Sequence, residues 1–178
     1  MYKKYIALVR GINVGKERRV EMKKLKEIFE TLGCIHVSTY INSGNILFES
    51  KENPKNIRQK AEASLEKNLG FSIPTLIKTE QEIMQISDAI PKEWQNDTMQ
   101  KSDVAFLFPE IDSEKTIEEL PIKKEYIDIR YTKGAIYWNV DRKNYNKSHI
   151  NKIISHDLYQ FMTVRNVNTA RFLAGNKK

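Results

Sequence analysis

Apolar positions change their period along the chain, and the changes mark its elements. Tyr5 to Val9 is an almost wholly apolar run, the pattern of a central strand. Met22, Leu25, Ile28, Phe29 and Leu32 then recur every three or four residues ahead of Gly33, which predicts an amphipathic helix with a glycine stop. Val37 to Ile41 and Asn45 to Phe48 flank Asn42-Ser43-Gly44, a hairpin signal. Asn53-Pro54 opens a second helical pattern through Ile57, Ala61, Leu65 and Leu69, closed by Gly70. Ser72 to Ile77 reads as a strand whose Pro74 puts it at a sheet edge, and Thr79-Glu80-Gln81-Glu82 has capping-box spacing ahead of Ile83, Ile86 and Ile90.

The second half repeats the scheme. Val104 to Phe108 is an apolar strand, Ser113 to Leu120 a short acidic helix, and Tyr126 to Tyr131 and Ala135 to Val140 a pair of strands around Lys133-Gly134. Ile150, Ile153, Ile154 and Leu158 predict a helix over 148–158, Phe161 to Val164 a last strand, and Asn166 to Ala174 a closing helix. The expected fold class is therefore α+β: two tandem ferredoxin-like βαββαβ units, each with an antiparallel sheet and a trailing helix, as from duplication of one unit. The expected domains are 1–90 and 102–178, with the polar stretch 91–101 as linker.

This topology singles out two loops. A right-handed strand-helix-strand crossover makes its strands parallel, so the chain should leave Val9 and Ile41 at the same end of a sheet. Arg10-Gly11-Ile12-Asn13-Val14-Gly15 and Asn42-Ser43-Gly44-Asn45 then become neighbours beside the start of the first helix. Glycine and asparagine turn the backbone tightly, a guanidinium binds oxyanions bidentately, and free amides add to both. The candidate ligand-binding residues are Arg10, Asn13, Gly15, Asn42, Ser43, Gly44 and Asn45. Gly44 can equally be present for its turn, and Asn13 and Asn42 to bond their own backbone. Arg165 and Asn166, at a second strand-to-helix junction, join the candidates, with Asn168 or Thr169 as helix caps.

Composition narrows the partner. Residues 1 to 26 hold 9 Lys/Arg against 2 Asp/Glu, residues 142 to 178 hold 8 against 1, and residues 27 to 141 hold 13 against 20. Basic ends favour an anionic partner, a phosphate- or carboxylate-bearing small molecule first and nucleic acid second. The aromatics Tyr131, Tyr137, Trp138 and Tyr145 interleave with Lys133, Arg142, Lys143 and Lys147, a pattern shared by single-strand binders and by ordinary sheet cores. A scaffold or oligomer-forming protein without a ligand is the third class. No apolar run nears the roughly 18 residues of a membrane span, and Arg10 and Asn13 interrupt the first run too early for a signal-peptide core. Cys34 is the single cysteine, so a reducing cytoplasm is the expected location. On a strand Cys34 and His36 would share a face, His149 and His156 stand too far apart for one metal, and Asp128 and Arg130 can pair locally along their strand, with a cross-strand ion pair as the default expectation. No metal, cofactor or catalytic group is read from the sequence; Ser43 is the only hydroxyl in the main cluster.

Arg10-Gly11-Ile12-Asn13-Val14-Gly15, with Val20-Glu21-Met22, Leu25, Leu32-Gly33, Tyr40-Ile41-Asn42-Ser43-Gly44-Asn45-Ile46 and Phe48, resembles the opening of the bacterial family called domain of unknown function 1697. Thr163-Val164-Arg165-Asn166-Val167-Asn168-Thr169 resembles that family's closing T-x-R-N-W-x-T motif. Lys16 stands where the family often has a second glycine, and Val167 where it usually has an aromatic. The resemblance implies two ferredoxin-like α+β units and no established activity.

Overall fold

The computed structural model describes residues 1–175. Contacts within the chain fall into two compact units, Met1–Glu80 and the residues from Gln81 onward, so the division lies ahead of the expected linker at 91–101. Both units are α+β, each with a four-stranded antiparallel sheet.

In the first unit the order is β1 (Lys3–Val9), α1 (Met22–Thr31), β2 (Ile35–Tyr40), β3 (Asn45–Ser50), α2 (Pro54–Leu69) and β4 (Thr75–Thr79). The sheet order is β2-β3-β1-β4, which leaves β4 at an edge, with Pro74 just ahead of it. Both β1 and β2 run antiparallel to β3, so they are parallel to each other and deliver their C-terminal ends to one side. The helical periodicity has the consequence expected of it. Leu25, Ile28 and Phe29 of α1 and Ile57, Ala61 and Leu65 of α2 form one core with Ala7, Val9, Ile46 and Phe48 of the sheet. Phe29 and Phe48 meet at 5.2 Å between ring centroids. The Asn53 side chain caps α2 by accepting from the Asn56 N–H at 2.9 Å, with Pro54 in the first turn.

The second unit takes up the chain at Gln81, one residue into α3 (Glu80–Ala89), and continues through β5 (Gln100–Leu107), α4 (Thr116–Glu119), β6 (Asp128–Thr132), β7 (Ala135–Asp141), β8 (Met162–Asn166) and α5 (Val167–Leu173). Its sheet order, β6-β7-β5-β8, matches the first. Residues 91–101 are held by this unit. Trp94 packs on Tyr137 at 5.9 Å, the Ser102 hydroxyl donates to the Gln95 carbonyl at 2.7 Å, and Arg142 Nη2 donates to Asn96 Oδ1 at 3.1 Å. The helix expected over 148–158 is absent; the segment makes two 3-10 turns, Ile150–Ser155 and Asp157–Phe161. His149 takes a left-handed backbone (φ 60°) and His156 an extended one (ψ 144°), so neither end can extend an α-helical ladder. The acidic helix expected over 113–120 shrinks to the single turn of α4. Asp128 and Arg130 pair along their own strand, Nη2 to Oδ2 at 2.7 Å and Nε to Oδ1 at 3.0 Å, rather than across strands.

Candidate functional site

The two glycine-asparagine loops of the first unit meet, and Asn13 joins them. Its amide Nδ2 donates to the Val20 carbonyl at 2.9 Å and to the Asn42 carbonyl at 3.0 Å, while its Oδ1 accepts from the Val20 N–H at 2.8 Å. The Asn13 N–H donates to the Arg18 carbonyl at 3.1 Å, closing the tip of the loop. Asparagine suits the place because its backbone is left-handed (φ 55°), a region this residue tolerates better than most. Ile12 tucks into the core beneath.

The second loop is braced in the same manner. Asn45, fully buried, donates from Nδ2 to the Tyr40 carbonyl at 3.0 Å and to Ser43 Oγ at 2.9 Å. The Val9 N–H donates to the Gly44 carbonyl at 2.9 Å, which lays the hairpin turn against the end of β1. A Cβ on Gly44 would stand 3.0 Å from both Ile12 Cδ1 and Val9 Cβ, so this close approach is open only to glycine. Ile41, β-branched and half exposed, holds φ 49°, an outlier for its type.

Asn13, Ser43 and Asn45 therefore act within the loops. Arg10 is half-buried at the end of β1, and its N–H donates to the Pro74 carbonyl at 3.0 Å. What faces outward is the tip from Val14 to Arg19. Among the described residues the N–H groups of Val14, Gly15, Lys16 and Glu17 have no acceptor, and Lys16, Arg18 and Arg19 have no carboxylate partner. The Arg18 guanidinium lies 5.3 Å from the Phe71 ring centroid. Glu17 and Glu21 are the carboxylates of the same segment; Glu21 stands ahead of α1 without making a side-chain cap.

Arg165 and Asn166 lie in the second unit, at the end of β8. Arg165 is buried; its Nη1 donates to Thr163 Oγ1 at 2.9 Å and to the Val164 carbonyl at 2.8 Å. Burial pulls its guanidinium down to about 10, with the nearby Tyr159 acting in the opposite direction. Asn166 Oδ1 accepts from the Thr169 N–H at 2.9 Å, capping α5. These residues border a cavity of about 260 Å³ that also reaches Lys101, Asp103 and Trp138.

The other sequence candidates resolve simply. Tyr137 and Trp138 are buried and Tyr131 donates to Asp112 Oδ1 at 3.1 Å, so these rings form no open stacking face. Cys34 is buried, and burial first, then the charge of Glu52, pushes its thiol up to about 11. His36 is exposed, with Nδ1 3.3 Å from Glu49 Oε1. Among the described residues no group of three or more His, Cys, Asp or Glu could hold a metal ion, and no helix is long and apolar enough to cross a membrane.

A family model described as "Protein of unknown function (DUF1697)" matches residues 2–137. The chain belongs to this family. The matched span holds both loops of the first unit and stops short of Thr163 to Thr169. The DUF1697 chain is also similar over its full length to a solved structure, the conserved bacterial protein SP0830 from Streptococcus pneumoniae, with 25% sequence identity, a TM-score of 0.85 and 100% of each chain covered. No curated protein matches it.

Proposed function

We propose that the protein binds a small anionic molecule, bearing a phosphate or a carboxylate, at the tip from Val14 to Arg19 beside Asn42. One observation carries this reading: four unpartnered main-chain N–H groups lie next to three cations that have no carboxylate partner. Consecutive amides in a turn containing left-handed residues make an anion-binding concavity, and the Asn13 brace holds that turn before any ligand arrives. Counted along the tip, Lys16, Arg18 and Arg19 exceed Glu17 by two charges. Arg10, Asn13, Asn42, Ser43, Gly44 and Asn45 form the base of this site, and Gly15 lies in the tip itself. The sheet order and helix placement support reading each unit as ferredoxin-like, and the matching order in both supports duplication of one plan. The lone buried Cys34 fits a reducing cytoplasm.

Titration of the ¹⁵N-labelled protein with inorganic phosphate and with acetate at low salt tests the site. The amide resonances of Gly15, Lys16 and Glu17 should move and saturate, and the double variant Lys16→Gln/Arg19→Gln should bind at least tenfold more weakly with an unchanged melting temperature, since both side chains are exposed. Unmoved tip amides in wild type, or equal binding by the double variant, would overturn the proposal.

A further inference from the structure

Two aliphatic side chains beside the tip stay in water. Val14 is 74% exposed and Ile41 is 50% exposed. Each stands next to one end of the hydrogen bond that joins the loops, from Asn13 Nδ2 to the Asn42 carbonyl at 3.0 Å, so they sit on neighbouring turns.

Ile41 is the sharper of the two. Its backbone holds φ 49°, a region that a β-branched residue enters only at a cost, and asparagine or glycine would hold the same turn with less strain. Core packing can repay such a cost, yet half of the Ile41 surface remains in water. Local conformation and burial therefore both favour another residue here, and strain of this kind collects at functional positions. One exposed aliphatic residue is ordinary on a protein surface; two on adjoining turns among cations are a combined feature.

Charge surrounds the pair. From Val14 to Lys24 the chain carries Lys16, Arg18, Arg19, Lys23 and Lys24 against Glu17 and Glu21, all of them exposed. Lys23 and Lys24 lie in the first turn of α1, just beyond Val20, which the Asn13 side chain ties to the same loop. A water-soluble phosphate would use the cations and amides and leave Val14 and Ile41 wet. Single-stranded nucleic acid would do the same, because its bases stack on aromatic faces and these side chains are aliphatic. A bilayer with anionic headgroups uses both parts: its phosphates meet the cations, and the acyl boundary just beneath takes the aliphatic groups.

We propose that the tip from Val14 to Arg19, together with Ile41, docks on the surface of an anionic phospholipid bilayer, with its cations on the headgroup phosphates and Val14 and Ile41 entering the acyl boundary. The proposal rests on the anion-binding reading of the same tip and names a lipid headgroup as the source of the phosphate. Docking of this kind keeps the chain at the interface and needs no spanning helix.

Co-sedimentation with vesicles of phosphatidylcholine alone, and of phosphatidylcholine mixed with phosphatidylglycerol, tests it. The protein should pellet with the mixed vesicles at low salt, stay in solution with the neutral ones, and be largely released at high salt, where screening shortens the reach of the charges. Ile41→Asn and Val14→Ser should each bind the mixed vesicles about threefold more weakly, and the double variant about tenfold, as less apolar surface leaves water. Ile41→Asn should melt at or above the wild-type temperature, since the side chain is half exposed and asparagine tolerates the left-handed backbone. Inorganic phosphate should still move the Gly15 and Lys16 amide signals of Ile41→Asn, which separates the two readings: phosphate shifts in a wild type that ignores the mixed vesicles would sink the bilayer and leave the small-anion site standing. Equal vesicle binding by the double variant, which is adsorption of a basic chain by charge alone, would overturn the proposal. So would equal pelleting with neutral vesicles, or a wild type that binds a short single-stranded RNA but no mixed vesicle.

Discussion

Replacing Asn13 by alanine tests whether one side chain holds the two loops together. The variant loses three side-chain hydrogen bonds of 2.8 to 3.0 Å. At a net of about 1 kcal/mol each, these amount to about 3 kcal/mol. The Asn42 carbonyl sits on an exposed residue and regains water once Asn13 is gone, which brings the loss to about 2 kcal/mol. Alanine at φ 55° adds about 1 kcal/mol of left-handed strain, for a total of about 3 kcal/mol. Urea unfolding should show this as a lower midpoint at constant slope. Hydrogen exchange gives the local readout: the Val20 N–H, which donates to Asn13 Oδ1, should exchange at least tenfold faster in Asn13→Ala. Asn13→Asp should keep more of the Val20 protection, because an acceptor remains, while losing both donated bonds. A stability loss under about 0.5 kcal/mol, or Val20 exchange unchanged in the alanine variant, would refute the brace.

Gly44→Ala should destabilise by about 2 kcal/mol or more, since its Cβ would press on Val9 and Ile12 at 3.0 Å in a left-handed backbone, whereas Gly15→Ala, with nothing within 4 Å, should cost only about 1 kcal/mol of strain; paired thermal melts compare them. Cys34 should react with a thiol reagent at pH 8 roughly a hundredfold more slowly than an ordinary thiol, because a pKa of about 11 rather than 9.0 leaves that much less thiolate, and the rate should climb toward pH 11. Asp103 has its folded pKa raised, chiefly by burial, so the folded state holds its proton more tightly than the unfolded chain. That contribution is present below the ordinary aspartate range and is lost as pH rises through the folded value; unfolding free energies of wild type minus Asp103→Asn should fall with pH there, and a flat difference would contradict the burial argument.

Much of the first unit was legible because its sequence obeys local rules one at a time. The α1 stripe of Leu25, Ile28 and Phe29 points into the core, Asn53-Pro54 caps α2, and Pro74 marks the approach to an edge strand. The second unit departs where apolar spacing and backbone conformation disagree. Ile150, Ile153 and Ile154 carry helical spacing, but His149 and His156 leave the α region, so a helical stripe is folded as two 3-10 turns. The polar composition of 91–101 reads as a linker only until Trp94 and Gln95 find Tyr137 and Ser102, contacts that no local window contains.

The candidate sites show a different limit. Glycine and asparagine in a loop mark the need for a tight, specific backbone, and that need is the same whether the side chains hold the loop or hold a ligand. Three hydrogen bonds place Asn13 in the first role, and Asn45 is buried there for the same reason, which moves the exposed chemistry to Lys16, Arg18 and Arg19. The pairing of Asp103 with Trp138 and Asn166 across neighbouring strands had no such local signal at all. Asp103, Trp138 and Asn166 are separated by tens of residues and become neighbours only through strand register, and each alone reads as an ordinary strand or cap residue. A one-residue slip of β7 against β5 would send Trp138 to the opposite face, so the juxtaposition of Asp103, Trp138 and Asn166 is only as specific as the sheet register that builds it.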